Sequence, residues 1–222
     1  MSSGPQQAAS PRIAAVAFDL DGTLVDSFAD LTFAVNLTRA RYGLPDLAQA
    51  EVCLHVGAGT EELVRKTVPV RDTERALAYQ EFLRGYDLYL LRTTRPYPGV
   101  EAALDGLASY PLAVITNKPI AQAQAILTGL GWAGRFALVL GGDSLAEKKP
   151  SPQPVLEFAR RSGVDPGETL MVGDSLADVR SARGAGAACA AVTYGNTARE
   201  LLAAEHPDYL IDRLDELIRI LR

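Results

Sequence analysis

Two carboxylates, Asp19 and Asp21, stand at the end of an apolar run and are followed at once by a glycine. Side chains alternate along a strand, so both acids can point to one side while Leu20 points into the core. Two carboxylates at that separation repel each other by roughly 4 kcal/mol at an effective dielectric constant near 20. A divalent cation would offset the repulsion. The stretch therefore predicts a metal-dependent site or, as the simpler alternative, a turn that ends a strand.

Three later apolar runs also end in polar residues that could bind an anion or a cation. In chain order these residues are Thr116 and Asn117, then Lys149, then Asp174 and Ser175, with Asp178 one helical turn further on. Each has a simpler explanation as a helix cap, a solvated charge or a turn residue. Their occurrence at successive strand ends favours a single site, in which Mg²⁺ binds one side of an oxyanion and lysine and N–H donors bind the other.

The elements that must position these residues alternate between strand and helix from residue 100 onward. Such alternation predicts crossover units and a parallel sheet, whose ligand crevice lies beyond the carboxyl ends of the strands. The stretch between the first strand and this run shows only helical patterns. We therefore predict an α/β fold: a Rossmann-like parallel sheet core with helices on both faces and an inserted all-α-helical cap domain.

The predicted boundaries follow from this change of pattern. Residues 12–26 and 95–222 are predicted to form the core domain, and residues 27–94 the helical cap. Hinges are expected near residues 26–27 and 93–98, which implies a mobile lid. Residues 1–11 are rich in Ser, Gln, Gly, Pro and Ala, so they are interpreted as a disordered leader and not as a signal peptide.

Composition excludes several function classes. Of 222 residues, 48% are hydrophobic and 22% charged, and the formal net charge is −5 without a Lys/Arg cluster. Nucleic acid and anionic membranes are therefore poor partners, and no stretch approaches the roughly 20 apolar residues of a membrane helix. Cys53 and Cys189 form no Cys-x-x-Cys pair, which favours reduced, buried thiols in a cytoplasmic protein.

Four stretches of the chain resemble the four motifs of the haloacid-dehalogenase-like hydrolase superfamily. They are Asp19-Leu20-Asp21-Gly22-Thr23, Thr116-Asn117, Lys149-Pro150, and Gly173-Asp174-Ser175 followed by Asp178. The helical block resembles that superfamily's α-helical cap. Within the superfamily the chain is most similar to bacterial phosphoglycolate phosphatases. The stretches that carry this similarity are Val56-Gly57-Ala58-Gly59, Thr116-Asn117-Lys118-Pro119, Gly141-Gly142-Asp143, Lys149-Pro150-Ser151-Pro152 and Val172-Gly173-Asp174-Ser175.

The resemblance implies Mg²⁺-dependent hydrolysis of a small phosphomonoester through an aspartyl-phosphate, with 2-phosphoglycolate as the first candidate substrate. Asp19 would be the nucleophile, and Asp21 would protonate the leaving group and later deprotonate water. The remaining implied roles fall into two groups. Mg²⁺ would be held by Asp19, the Asp21 carbonyl oxygen and Asp174, with Asp178 and Ser175 orienting these ligands, and the phosphoryl oxygens would be held by Thr116, the Asn117 N–H and Lys149.

Two lysines compete with Lys149 for the role of the catalytic ammonium. The superfamily places its lysine directly before the proline, which favours Lys149 over Lys148. Lys148 is then interpreted as a surface charge, and Lys118 as solvated.

The cap is expected to choose the substrate. Gly57 and Gly59 could bring backbone N–H groups close to a small anionic leaving group, or could simply form a helix-breaking turn. His55 beside them could touch substrate, although a lone histidine is more often structural. Lys66 is the only lysine of the cap.

Other functions remain open at this point. The substrate could be another phosphorylated metabolite, such as a nucleotide, a sugar phosphate or pyrophosphate. A sugar phosphomutase would carry an arginine where this chain has Thr60, and a haloacid dehalogenase would lack Asp21. A phosphonate hydrolase would want a reactive lysine in the cap. A non-catalytic scaffold would bind metal or phosphate without needing a general acid. The expected partner is a small phosphorylated metabolite, and the expected state is a monomer or homodimer.

Overall fold

The apolar run before Asp19 forms a buried strand of a parallel sheet. The structure is a computed structural model that describes residues 12–222, so the predicted leader, residues 1–11, lies outside the described residues. The strands, in chain order, are β1 (Ala15–Phe18), β2 (Val25–Asp26), β3 (Arg95–Pro96), β4 (Leu112–Ile115), β5 (Leu138–Leu140), β6 (Thr169–Gly173), β7 (Ala188–Val192) and β8 (Tyr209–Ile211).

Helices fill most of the intervals between these strands. In chain order they are α1 (Phe28–Arg41), α2 (Gln49–Cys53), α3 (Thr60–Thr67), α4 (Arg75–Tyr89), α5 (Val100–Gly106), α6 (Ile120–Gly129), α7 (Gln153–Ser162), α8 (Leu176–Ala185), α9 (Arg199–Ala204) and α10 (Leu217–Ile220).

Six strands form the main sheet in the order β5-β4-β1-β6-β7-β8, and every neighbouring pair is parallel. The first strand lies in the middle, where Phe18 is in register with Val114 of β4 and Val172 of β6. The carboxyl ends of β1, β4 and β6 therefore lie side by side, at the edge where a parallel sheet places its ligand crevice.

The two faces of the sheet bury separate hydrophobic clusters. Val16 and Phe18 of β1 belong to one cluster, whereas Ala15 and Ala17 belong to the other, as the alternation of side chains along a strand requires. Helices α5, α6 and α10 contribute buried residues to the first cluster, and helices α7, α8 and α9 to the second. The predicted core, a parallel sheet with helices on both faces, is confirmed.

Helices α1 to α4 are inserted between β2 and β3, and we refer to this helical segment as the cap. The strands β2 and β3 pair antiparallel, with Val25 opposite Pro96 and Asp26 opposite Arg95. This short pair was not predicted, because two-residue strands carry no periodic signal. Helix α1 packs along α4, whose Phe82 and Tyr86 rings stack at 5.6 Å. The inserted helical cap agrees with the predicted fold class.

Asp30 in the first turn of α1 ties the two connections of the cap together. Its carboxylate accepts hydrogen bonds from the backbone N–H and the hydroxyl of Thr93 and of Thr94, at 2.7 to 3.0 Å. Burial alone would raise the pKa of Asp30, but these donors outweigh it and lower the pKa. The start of the cap is thereby fastened to its end.

Two element boundaries differ from those that the sequence patterns predict, which are a long cap helix starting at Asp72 and a strand over residues 136–140. In the structure the helix begins at Arg75 after a 3-10 turn at Asp72–Glu74, and the strand begins at Leu138. Cys189 is buried as predicted, but Cys53 is half-buried, so the prediction of two buried thiols is wrong for Cys53. Among the described residues, no helix combines the length and apolar character needed to cross a membrane.

Candidate active site

Asp19 follows β1 directly and forms an ion pair with Lys149. Its backbone N–H continues the sheet by donating to the Val172 carbonyl, which fixes the direction of the side chain. Lys149 Nζ lies 2.9 Å from Asp19 Oδ1 and 2.6 Å from Asp178 Oδ1. Burial alone would lower the pKa of Lys149, but the Asp178 and Asp19 carboxylates outweigh burial and raise it. The ammonium therefore remains charged inside the protein.

Asp174 follows β6 and is buried beside these groups. Its Oδ1 accepts a hydrogen bond from the Thr23 hydroxyl at 3.0 Å, and its Oδ2 accepts one from the Asn196 backbone N–H at 2.8 Å. Burial, followed by the charges of Asp19 and Asp178, raises the pKa of Asp174 to about 8. Ionised Asp174 is therefore costly unless a cation lies close to it.

Three buried acids form a group that could hold a metal ion. Oxygen atoms of Asp19, Asp174 and Asp178 all lie within 4.8 Å of one another. The pKa of Asp19 is raised to about 6 by burial, with Asp178 adding to the effect and Lys149 opposing it. A divalent cation would relieve both burial and mutual repulsion, and carboxylate oxygens are the ligands that Mg²⁺ prefers. The donor set therefore fits Mg²⁺.

Asp178 and Ser175 meet at the start of helix α8. The Ser175 N–H and hydroxyl both donate to Asp178 Oδ2, at 3.0 and 2.6 Å, while Ser175 Oγ accepts from the Asp178 N–H. This capping box is a strong helix start. Asp178 Oδ1 accepts a hydrogen bond from Lys149, so both carboxylate oxygens of Asp178 have donors. This arrangement suits the orienting role that the resemblance implies.

The Asp21 carboxylate does not join the acidic group and instead faces Lys118. Lys118 Nζ lies 2.8 Å from each oxygen of Asp21, and the Ser27 hydroxyl donates to the same carboxylate. The ammonium also lies 4.7 Å from the centre of the Tyr86 ring in the cap. Lys118 is buried, with 3% of its surface exposed. The interpretation of Lys118 as solvated is therefore wrong, because tertiary packing places Tyr86 and Asp21 around it.

Thr116 and Asn117 lie in the loop after β4. Asn117 Nδ2 donates to the carbonyl of Gly57 in the cap and to the carbonyl of Lys149, both at 2.8 Å. Thr116 Oγ1 accepts a weaker bond from the Lys118 N–H at 3.2 Å. The loop thus contacts both the cap and the lysine next to Asp19.

A small cavity of about 30 Å³ lies between these groups and the cap. Its wall combines core residues from the strand ends with residues from the cap. The lining residues are Asp19, Asp21, Thr116, Asn117 and Lys118 from the core and Leu31, Val56, Gly57, Gly59, Thr60 and Leu63 from the cap. Six of the predicted site residues therefore share one cavity: the acids Asp19 and Asp21, Thr116 with Asn117, and the two glycines.

Some other predicted residues are not among those that line this cavity. His55 is half-buried and Lys66 is exposed, and neither is among the residues that line the cavity. Lys148, interpreted as a surface charge, is half-buried, and a Cβ placed on Gly59 would lie 2.7 Å from its ammonium.

Sequence reasoning missed some residues that contact the candidate site. Thr60 lines the cavity, and its hydroxyl lies 3.2 Å from the Tyr79 hydroxyl. Asn196 holds Asp174 through its backbone, and its side-chain amide donates to the Cys53 carbonyl at 2.6 Å. No local pattern marks Asn196, whereas Lys118 could have been found as a lysine in a strand-end loop.

Comparison with known sequences gives a consistent result. A sequence model of the family described as haloacid dehalogenase-like hydrolase matches residues 16–192. A phosphoglycolate phosphatase of Chromobacterium violaceum is 40% identical over 220 residues, which cover 95% of this chain and 97% of that protein. A phosphoglycolate phosphatase of Neisseria meningitidis is also 40% identical, with 95% and 94% of the two chains covered.

Solved structures show the same architecture. A crystal structure of a predicted phosphoglycolate phosphatase from Haemophilus somnus matches with a TM-score of 0.90 and 33% identity. The match covers 95% of this chain and 99% of that one, so it includes both the sheet and the inserted helices.

Proposed function

Because this chain belongs to the haloacid dehalogenase-like hydrolase family, we propose that it is a Mg²⁺-dependent phosphatase of small phosphomonoesters, with 2-phosphoglycolate as the first candidate substrate. The similarity to phosphoglycolate phosphatases at 40% identity supports the choice of substrate. The geometry around β1 supports the type of reaction.

Asp19 is the proposed nucleophile. Its carboxylate oxygen attacks phosphorus, an oxygen–phosphorus bond forms, and the bond from phosphorus to the ester oxygen breaks. The result is an aspartyl-phosphate and a leaving alkoxide, which splits one difficult displacement into two easier ones. Lys149 keeps Asp19 in place and sets positive charge next to the phosphoryl oxygens.

Asp21 is the proposed general acid and base. It gives its proton to the leaving alkoxide, and in the second half-reaction it takes a proton from the attacking water. That water breaks the acyl phosphate and releases inorganic phosphate, so Asp19 returns to its starting state. Asp21 lines the same cavity as Asp19 but is separated from the acidic group, as two different roles require.

Mg²⁺, when bound, supplies positive charge to the phosphoryl oxygens. The residues proposed to hold it are Asp19, Asp174 and the carbonyl oxygen of Asp21, with Asp178 and Ser175 orienting them. Thr23 and the Asn196 N–H hold Asp174 in place.

The loop after β4 and the cap complete the proposed site. The Thr116 hydroxyl and the Asn117 N–H bind phosphoryl oxygens, where positioning and charge neutralisation dominate catalysis. Gly57 and Gly59 line the cavity from the cap, and we propose that they face the leaving group.

One observation carries the proposal: the two acids at the end of β1 lie in one cavity but have different cations as partners. Lys149 pairs with Asp19 and Lys118 pairs with Asp21. A site that only bound metal would have no use for the second acid and its separate lysine.

A kinetic screen with the purified chain tests the proposal. Substrates should include 2-phosphoglycolate, nucleoside monophosphates, sugar phosphates, pyrophosphate and para-nitrophenyl phosphate, each with and without Mg²⁺. We expect Mg²⁺-dependent release of phosphate, with the highest kcat/KM on 2-phosphoglycolate. Turnover of another ester above 2-phosphoglycolate would reassign the substrate, and no turnover of any ester would leave a non-catalytic scaffold.

A further inference from the structure

We infer that Lys118 binds a carboxylate on the alcohol part of the substrate, so that the preferred esters are O-phosphorylated short hydroxy acids. The inference rests on the proposed phosphatase function and names the residue that would select the substrate. Neither sequence motif nor family resemblance gave Lys118 this role.

The position of Lys118 is the first support. Its ammonium is buried yet forms part of the cavity wall, next to the proposed general acid. Its contacts are the two Asp21 oxygens and the face of the Tyr86 ring. A substrate in this cavity would therefore meet the ammonium beside Asp21.

The charges around the cavity are the second support. Lys118 is the only cation among the described residues that line it. The ammonium of Lys149 lies behind the wall and is shared by Asp19 and Asp178. The cap residues of the wall are apolar or uncharged. The half-buried Lys148, whose ammonium lies beside Gly59, is not among the lining residues.

Distances limit the size of the alcohol. Lys118 Nζ lies 2.8 Å from each oxygen of Asp21, and Asp21 must approach the ester oxygen to about 3 Å to transfer a proton. The ester oxygen must lie beside Asp21 while the carboxylate contacts Lys118. The carboxylate must therefore be within two or three bonds of the ester oxygen. A 2-hydroxy acid meets this condition.

Substrates that differ in one charge test the inference in the wild-type protein. The comparison uses 2-phosphoglycolate, its carboxamide analogue and ethyl phosphate, at saturating Mg²⁺. We expect kcat/KM on 2-phosphoglycolate to exceed that on either neutral ester by at least about 100-fold, the range expected when a buried group loses its charged partner.

Variants of Lys118 provide the second part of the test. Lys118→Met and Lys118→Gln should reduce this preference to within about 5-fold, mainly through a loss on 2-phosphoglycolate. Lys66→Met, which removes an exposed lysine of the cap, is the matched control and should keep the wild-type preference. Circular dichroism and thermal melting check that the variants fold.

Each result decides the question. Equal losses on charged and neutral esters would mean that Lys118 acts only by positioning Asp21, and the inference would be wrong. Equal hydrolysis of 2-phosphoglycolate and its carboxamide by the wild-type protein would also overturn the inference. That result would leave the proposed phosphatase function intact, and it requires no variant. If no ester is hydrolysed, the proposed function itself fails, and this inference fails with it.

Discussion

Asn117 fastens the cap to the core through the carbonyl of Gly57, to which its side-chain amide donates a hydrogen bond of 2.8 Å. The same amide donates to the Lys149 carbonyl at 2.8 Å. One side chain therefore holds the cap loop and the loop of the lysine that contacts Asp19. The position of the cap and the geometry around the proposed nucleophile are coupled through it.

Replacing Asn117 by alanine should loosen the cap while keeping the backbone N–H that is proposed to bind phosphate. Each lost hydrogen bond contributes about 1 kcal/mol, so kcat/KM should fall by roughly 10-fold or more. Hydrogen exchange of the backbone amides in residues 53–59 should become faster. Unchanged exchange in that segment would contradict the role of Asn117 as a cap contact.

Asp19→Asn should abolish turnover with the fold intact. The amide cannot form an aspartyl-phosphate, so kcat should fall by at least about 1,000-fold. Melting temperature should not fall, because the substitution removes one charge from a buried group of three acids. A variant that retains more than a few per cent of wild-type kcat would exclude Asp19 as the nucleophile.

Asp174→Ala should raise the Mg²⁺ requirement sharply. Asp174 is one of three buried acids whose oxygen atoms lie within 4.8 Å of one another, so the Mg²⁺ concentration for half-maximal activity should rise by roughly 10-fold or more. Asp46→Ala, which removes an exposed acid, is the control and should leave that concentration unchanged. An unaltered Mg²⁺ dependence in Asp174→Ala would remove Asp174 from the metal site.

Gly22→Ala should displace Asp174 without changing any charge. Gly22 has a φ of +86°, and a Cβ placed on it would lie 2.4 Å from Asp174 Oδ2. Gly43→Ala is the matched control, because Gly43 also has a positive φ, +66°, but nothing lies within 4 Å of its Cβ position. Gly43→Ala should therefore lower the free energy of unfolding by about 1 kcal/mol and leave the Mg²⁺ dependence unchanged.

Gly22→Ala should destabilise the protein more than its control and weaken Mg²⁺ activation as well. Urea unfolding and Mg²⁺ titration of activity measure the two effects separately. If both glycine variants behave alike, the close contact between Gly22 and Asp174 has no influence on the metal site.

Asp30→Asn should weaken the junction between cap and core in a pH-dependent way. The pKa of Asp30 is lowered in the folded protein because donors from Thr93 and Thr94 outweigh burial. At pH values above the pKa of Asp30 in the unfolded chain, near 3.8, the ionised carboxylate therefore stabilises the folded protein. This stabilisation is lost as the pH falls through the lower pKa that Asp30 has in the folded protein. At pH 7 the loss should be about 1.5 to 3 kcal/mol.

Urea unfolding at pH 7 and at about pH 3 checks this prediction. The difference in the free energy of unfolding between wild type and Asp30→Asn should shrink at the lower pH. Asp46→Asn, at an exposed position, should show no difference at either pH. A constant difference for Asp30→Asn would show that its charge does not contribute.

The fold class and the meeting of these polar residues at the strand ends were predictable from local patterns. Apolar runs that end in acids, in Thr116-Asn117 and in Gly173-Asp174 identify strand ends, and parallel strands place their carboxyl ends at one edge. Helix starts such as Ser175 with Asp178 are also local, because a capping box spans three residues. Boundaries were less certain, since terminal turns depend on their neighbours.

By itself, the sequence determined the alternation of strands and helices from residue 100 onward, the acids at the end of β1 and the family, because each depends on residues that are close along the chain. The tertiary structure alone decided the partner of Asp21. Lys118 is 97 positions away from Asp21, and the Tyr86 ring that covers it comes from the cap. Whether a lysine is solvated or buried depends on what packs against it, and no spacing along the chain encodes that contact.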